Sequence, residues 1–380
     1  MSTTCIVGGD IYTPLETIPR GAILIEDNLI EAIGPADEII PPEGSHIVDA
    51  RGHLVLPGLV DLHLHGLAGK EVTDSDADSI PQMLARWGVT SFQASIAAGP
   101  LDQMVRDIGS ASRLKGLPVS RCVGIHLEGP YLSPLQPGAL NPGHFRPPNV
   151  KELESLVQAG AGQVRMVTLA PELPGSLDVI RWLTGEGIIS AMGHTDASYE
   201  DVTMAVEAGL SHATHCFNAM KAFHHRDPGA VGAILTDNSI TAEVIGDGVH
   251  VHPAAVLLLV RAKGAGKTCL VSDAAPVAGL GAGTYKWLGQ ELSVDGEAAR
   301  LPDGTLAGST RLLAEQLSFL EKSLPVPFHQ IVEMATHTPS VVLGLESGLL
   351  AVGRRADIAI FDSQHRCRLT MIEGEIAYSA

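Results

Sequence analysis

Residues 56–66, L-P-G-L-V-D-L-H-L-H-G, set two imidazoles, His63 and His65, on alternate positions at the end of an apolar run. In a strand, side chains two apart share a face, so both rings project together as a pair of metal ligands. The same chemistry recurs downstream: His126 and Glu128 in C-V-G-I-H-L-E, His194 closing I-I-S-A-M-G-H, His215 in H-A-T-H, Asp247 and His250 at the end of I-T-A-E-V-I-G-D, and Asp273 closing T-C-L-V-S-D. A lone histidine at a strand end is more often structural, and an aspartate before a turn usually caps a helix. That reading fails when the same ligand chemistry falls at the same end of so many strands. Glu128, His194 and His215 supply one carboxylate oxygen and two imidazole nitrogens, the donor set of a catalytic zinc-type site that leaves a position open for water. His63 and His65 would hold a second divalent ion beside it. Asp273 is then the proton handler, because hydrolysis of an amide needs a group that takes a proton from water and delivers it to the departing amine. His126 or His63 is expected to help stabilise the oxyanion.

The elements that must position these residues alternate. Strand candidates at 59–65, 89–95, 122–128, 164–170, 188–194, 212–215, 240–247 and 268–273 are separated by stretches of helical periodicity, such as K-E-L-E-S-L-V-Q and Y-E-D-V-T-M-A-V-E-A. Eight βα units predict a (β/α)8 TIM barrel, whose catalytic groups come from the C-terminal strand ends. Residues 1–55 read as short strands, and the tail returns to strand pattern from residue 348. A lone terminal hairpin is marginal, so both ends are expected to meet in a small discontinuous β-sandwich domain, 1–55 plus 348–380, beside a barrel over 56–347. After residue 284 the chain reads as a β-hairpin excursion.

The 380 residues carry a formal charge of −18, which argues against nucleic acid or an anionic membrane as partner. An anionic substrate must then meet a local cation. Five cysteines without a CxxC pair fit a reducing compartment. The N-terminus has no basic region followed by an apolar run, and no segment reaches the ~18 apolar residues of a span, so a cytoplasmic protein is expected.

The ordered set P-G-L-V-D-L-H-L-H-G, H-L-E-G-P-Y, G-A-L-N-P, G-H-T, T-H-C-F-N-A-M, H-H-R-D-P-G-A-V-G, D-G-V-H-V, S-D-A-A-P-V-A-G and L-A-G-S resembles the amidohydrolase superfamily, and within it the family of N-acetylglucosamine-6-phosphate deacetylases. The fourth strand ends T-L-A-P-E, without the lysine of the carboxylated-lysine branches. The resemblance implies hydrolysis of the N-acetyl group of N-acetyl-D-glucosamine 6-phosphate, with Glu128, His194 and His215 on the metal and Asp273 as acid and base. It implies that Ala139, Asn218, Ala219, Arg226, Asp247, Gly248, Val249, His250, Leu306, Ala307 and Gly308 line the sugar-phosphate pocket, with Arg226 reaching a neighbouring subunit's site in a homodimer. A guanidinium fork matches phosphate oxygens, so Arg226 would be the local cation. Keeping both histidines of the HxH leaves one or two ions per subunit open. Zinc comes first; iron, manganese and cobalt suit the same donors. Leu140 departs from the family, standing where relatives carry a substrate-contacting histidine. Leucine donates no hydrogen bond, which keeps a related substrate, N-acetylgalactosamine 6-phosphate, as an alternative. A non-catalytic interaction protein would show gaps in the metal set, and there are none.

Overall fold

A computed structural model describes residues 3–14 and 16–380. Eight strands form one parallel sheet in sequence order: β1 (Leu59–Leu64), β2 (Val89–Ala97), β3 (Arg121–Glu128), β4 (Val164–Leu169), β5 (Ile189–Met192), β6 (His212–Ala213), β7 (Thr241–Ile245) and β8 (Thr268–Val271). The ring closes just beyond β8, where the Asp273 N–H donates to the His63 carbonyl at 2.9 Å and the His65 N–H to that of Ala274 at 3.0 Å. Asp61 fastens the same seam, its Oδ1 accepting from the N–H groups of Ser272 (3.1 Å) and His63 (3.3 Å). This is a TIM barrel.

The connecting helices start where the sequence supplies caps. Ser198 and Asp201 form a capping box ahead of Tyr199–Ala208, and Asn149 accepts from the Glu152 N–H at the start of Val150–Ala159. Each lays an apolar stripe on the sheet, as Leu153 and Leu156 do.

The chain ends meet in one β unit, built as one sheet. Thr3–Tyr12, Thr17–Glu26, Leu29–Pro35, His46–Asp49 and Leu54–Pro57 join Ile358–Phe361, Cys367–Ile372 and Glu375–Ser379 in a single eight-stranded sheet. Its core, including Ile6, Ile23, Val55, Ile358 and Met371, is separate from the barrel's. Arg121 at the start of β3 ties the two units together, pairing with the buried Asp357 and, at 2.9 Å, with Glu373.

The excursion after the barrel is a three-stranded antiparallel sheet: β9 (Gly283–Trp287), β10 (Gln290–Val294) and β11 (Ala299–Arg300). Trp287, Leu292 and Val294 pack on Ala275, Val277 and Ala307, which places this sheet over the C-terminal mouth of the barrel. Among the described residues no helix is long and apolar enough to cross a membrane.

Candidate active site

Five donors converge at the mouth. His63 lies near the end of β1 and His65 just beyond it, Glu128 ends β3, His194 follows β5 and His215 follows β6. Glu128 stands at the centre: Oε1 lies 3.1 Å from His194 Nε2 and 3.0 Å from His215 Nε2, and Oε2 lies 3.4 Å from His65 Nε2. Two overlapping triads have their ligand atoms within 4.8 Å of one another: Glu128, His194 and His215, and His63, His65 and Glu128. Asp273 Oδ1 faces the second triad, 3.4 Å from His65 Nε2 and 3.5 Å from His63 Nε2.

Three of the four rings are fixed from behind. His65 Nδ1 bonds the Ser95 carbonyl (3.1 Å), His194 Nδ1 that of Gln136 (3.0 Å), and His63 Nδ1 the carboxylate of Glu243 (3.2 Å). These partners only accept, so each Nδ1 carries a hydrogen and each Nε2 is turned to the shared centre, where it becomes a lone-pair donor once free of a proton. His63 Nε2 and His65 Nε2 then face each other at 3.1 Å, which is repulsive unless a proton or a cation lies there. Burial opposes charging these rings, yet Asp273 and Glu128 hold His65 up to about 10, and Glu128 holds His215 up to about 9. The carboxylates therefore demand positive charge, and a divalent ion fits that demand together with the nitrogen donors. Burial alone would raise the Asp273 carboxyl, but the His63 and His65 rings outweigh it and hold it below the usual carboxylate range.

The backbone is bent to this purpose. His194 (φ 47°), His215 (φ 29°) and Asp273 (φ 47°) all lie in the left-handed region, at a cost of about 1–3 kcal/mol each that the surrounding packing must offset. Gly138 (φ 55°) lets the chain pass close to His194; a Cβ there would sit 3.1 Å from the ring's Cε1.

The cavity above the cluster, about 180 Å³, is walled by His65, Glu128, His194, His215 and Asp273, by Gly138, Ala139 and Leu140, by Asn218 and Ala219, by His250 and Trp287, and by Thr305, Leu306 and Gly308. Of the residues singled out in the sequence, Asp247, Gly248, Val249 and Ala307 do not themselves line it. Asp247 organises it: Oδ1 accepts from the N–H groups of Val249 and His250, both at 2.8 Å, and Oδ2 bonds His250 Nδ1 at 2.7 Å. The remaining nitrogen of His250, Nε2, has no partner within the described residues. Arg226 lies elsewhere, in an exposed turn bridged between His224 and Asp227, and among the described residues it is hydrogen-bonded to its neighbours His224 and His225. No lysine or arginine of the described residues lines the cavity.

His63 and His126 are not among the residues that line the cavity, although His63 Nε2 faces the donor cluster beneath it. Both nitrogens of His126 are engaged, by Ser95 Oγ (3.0 Å) and Thr168 Oγ1 (2.7 Å). Burial, then the neighbouring His63, pushes this ring down to about 3, so it stays neutral. Sequence reasoning missed Glu243 and Trp287. Glu243 carried a signal, a carboxylate in the middle of the apolar strand I-T-A-E-V-I.

The chain is similar, at 34% identity over 97% of its length and 95% of the relative's, to N-acetylglucosamine-6-phosphate deacetylase of Bacillus subtilis (strain 168). It is 33% identical, over 93% of both chains, to N-acetylgalactosamine-6-phosphate deacetylase of Escherichia coli O157:H7. Its fold superposes with a TM-score of 0.93, at 32% identity and over 100% of both chains, on a mutant N-acetyl-D-glucosamine-6-phosphate deacetylase from Mycobacterium smegmatis solved in complex with N-acetyl-D-glucosamine-6-phosphate. Residues 54–377 match the amidohydrolase family. With that match spanning the whole barrel and the donor cluster at its mouth, the chain belongs to the amidohydrolase family.

Proposed function

We propose that this chain hydrolyses the N-acetyl group of N-acetyl-D-glucosamine 6-phosphate, giving D-glucosamine 6-phosphate and acetate. The observation that carries this reading is the meeting of the Glu128, His194 and His215 triad with the ionised Asp273 in one cavity, in a chain similar to such deacetylases along nearly its full length. Glu128, His194 and His215 would hold a divalent ion, zinc first, with His63 and His65 as donors for a second; what such an ion supplies is a polarised amide carbonyl and a water of lowered pKa. Asp273, held ionised, accepts the proton of the attacking water and returns it to the amine nitrogen as the C–N bond breaks. His250, oriented through Nδ1 by Asp247, turns Nε2 toward the substrate, and Asn218 places its amide on the same wall.

The phosphate needs a cation, and the cavity has none of its own. A second copy of the chain is the proposed source: Arg226, exposed on its turn, would reach the neighbouring site of a homodimer. Five free, buried thiols support a reducing, cytoplasmic setting.

N-acetylgalactosamine 6-phosphate is the second reading. Leu140, buried and on the cavity wall, offers no hydrogen bond to a sugar hydroxyl, and a relative acting on that epimer is nearly as similar. Acetate release from both epimers, each with and without the 6-phosphate, tests the proposal. The expected result is highest kcat/KM for the phosphorylated gluco epimer. Preference for the galacto epimer gives the second reading, and preference for unphosphorylated amides overturns both.

A further inference from the structure

Beneath the donor cluster, and outside the cavity, lies a carboxylate that the reaction does not use. Glu243, in the middle of β7, is fully buried. Oε2 lies 3.2 Å from His63 Nδ1 and accepts the backbone N–H of His215 at 3.2 Å; Oε1 lies 3.2 Å from His212 Nε2. One side chain thus touches a ring of one triad and the backbone of the other. Its hold on His63 decides which nitrogen is presented: with Nδ1–H committed to Glu243, Nε2 is the nitrogen facing His65 Nε2 (3.1 Å), Asp273 Oδ1 (3.5 Å) and Glu128 Oε1 (3.8 Å). Its hold on the N–H of His215 fixes a residue whose left-handed backbone aims the ring at Glu128.

We propose that Glu243 is the positioning residue for both halves of the metal site, setting the tautomer and orientation of His63 and the backbone pose of His215. The inference rests on the reading that His63 and His65 hold an ion. A carboxylate behind a ligating imidazole raises its donor strength as well as orienting it, and removing such a partner weakens ion binding about 10–100-fold. A purely structural role, as the hydrogen-bond partner of His212, predicts lower thermal stability and unchanged ion affinity.

Metal-free wild type, Glu243→Gln and Glu243→Ala are titrated with Zn²⁺ against a chromophoric chelator, and the ring nitrogens of His63 are observed by NMR in ¹⁵N-histidine protein before ion is added. Glu243→Gln keeps the shape and removes the charge; it is expected to weaken the ion shared by His63 and His65 about tenfold. Glu243→Ala is expected to weaken it about a hundredfold and to lose the Nδ1-protonated signature of His63. If the alanine variant does not fold, the glutamine variant decides alone. Two ions bound in wild type, with variant affinities within about twofold, overturn the role of Glu243 and leave the metal reading standing. A wild type that takes no ion at His63 and His65 overturns that reading and this inference together.

Discussion

At the scale of single residues, the site is a balance of charge. Glu128 and Asp273 hold protons on His65 and His215 in the metal-free protein, with pKa values near 10 and 9 against an ordinary 6.5. Both folded values are raised, so both rings are charged at pH 7, and an ion can enter only by expelling those protons. Affinity must therefore fall as pH falls, by about tenfold per unit for each proton released. Chelator competition at pH 6, 7 and 8, with proton release followed by an indicator, checks this; equal affinities would mean that the rings are already neutral. Asp273 belongs to neither donor triad. Asp273→Asn is accordingly expected to bind metal as wild type does, while turnover drops by about 10²–10⁴. Loss of metal along with turnover would make it a ligand instead.

At the scale of elements, the mouth is roofed by the three-stranded sheet. Gln290 on β10 donates to the Ala139 carbonyl at 2.8 Å, bracing the stretch Gly138–Leu140 that forms one wall, while Trp287 on β9 lies 5.2 Å from the His65 ring. Gln290→Ala removes one hydrogen bond worth about 1 kcal/mol, so KM should rise about fivefold with kcat and melting temperature little changed. A drop in kcat alone would show that the brace acts on the chemistry and not on binding. The alternation of strands and helices was legible because apolar runs of strand length stand between capped helical stretches, and the strand-end residues were legible because a parallel barrel delivers every such end to one face. Leu101–Ala111 and Gly229–Thr236 were not among the helices read from the pattern: in the first, Asp102, Gln103, Arg106 and Asp107 surround the buried Met104 and Ile108, and the second is nearly all apolar and so has no polar face. Glu243 and Trp287 escaped for another reason. A sequence shows that a polar side chain interrupts a strand, but not which layer it faces or what lies across the barrel from it.

At the scale of the whole molecule, a chain of charge −18 must bring a cation to a phosphate, and the proposed homodimer does so by exchange of Arg226. Arg226→Gln and Asp273→Asn would each silence the chain differently, one through the neighbour's site and one through its own. Mixing the two under conditions of subunit exchange should restore about a quarter of wild-type activity, since half the dimers are mixed and each has one intact site. No recovery in dimers shown to be mixed would place the phosphate cation within the subunit.

The seam of the barrel has a consequence for how the enzyme comes to life. His63 and Ser272, 209 residues apart, are joined where the first strand meets the last, and the hydrogen bond from Asp273 to His63 crosses that join. The proton handler and the histidine pair therefore share an address only after the ring has shut. A chain with seven strands in place and the eighth still loose has almost all of its secondary structure and no chemistry. Activity thus reports that the ring has closed, and it is lost when the ring opens.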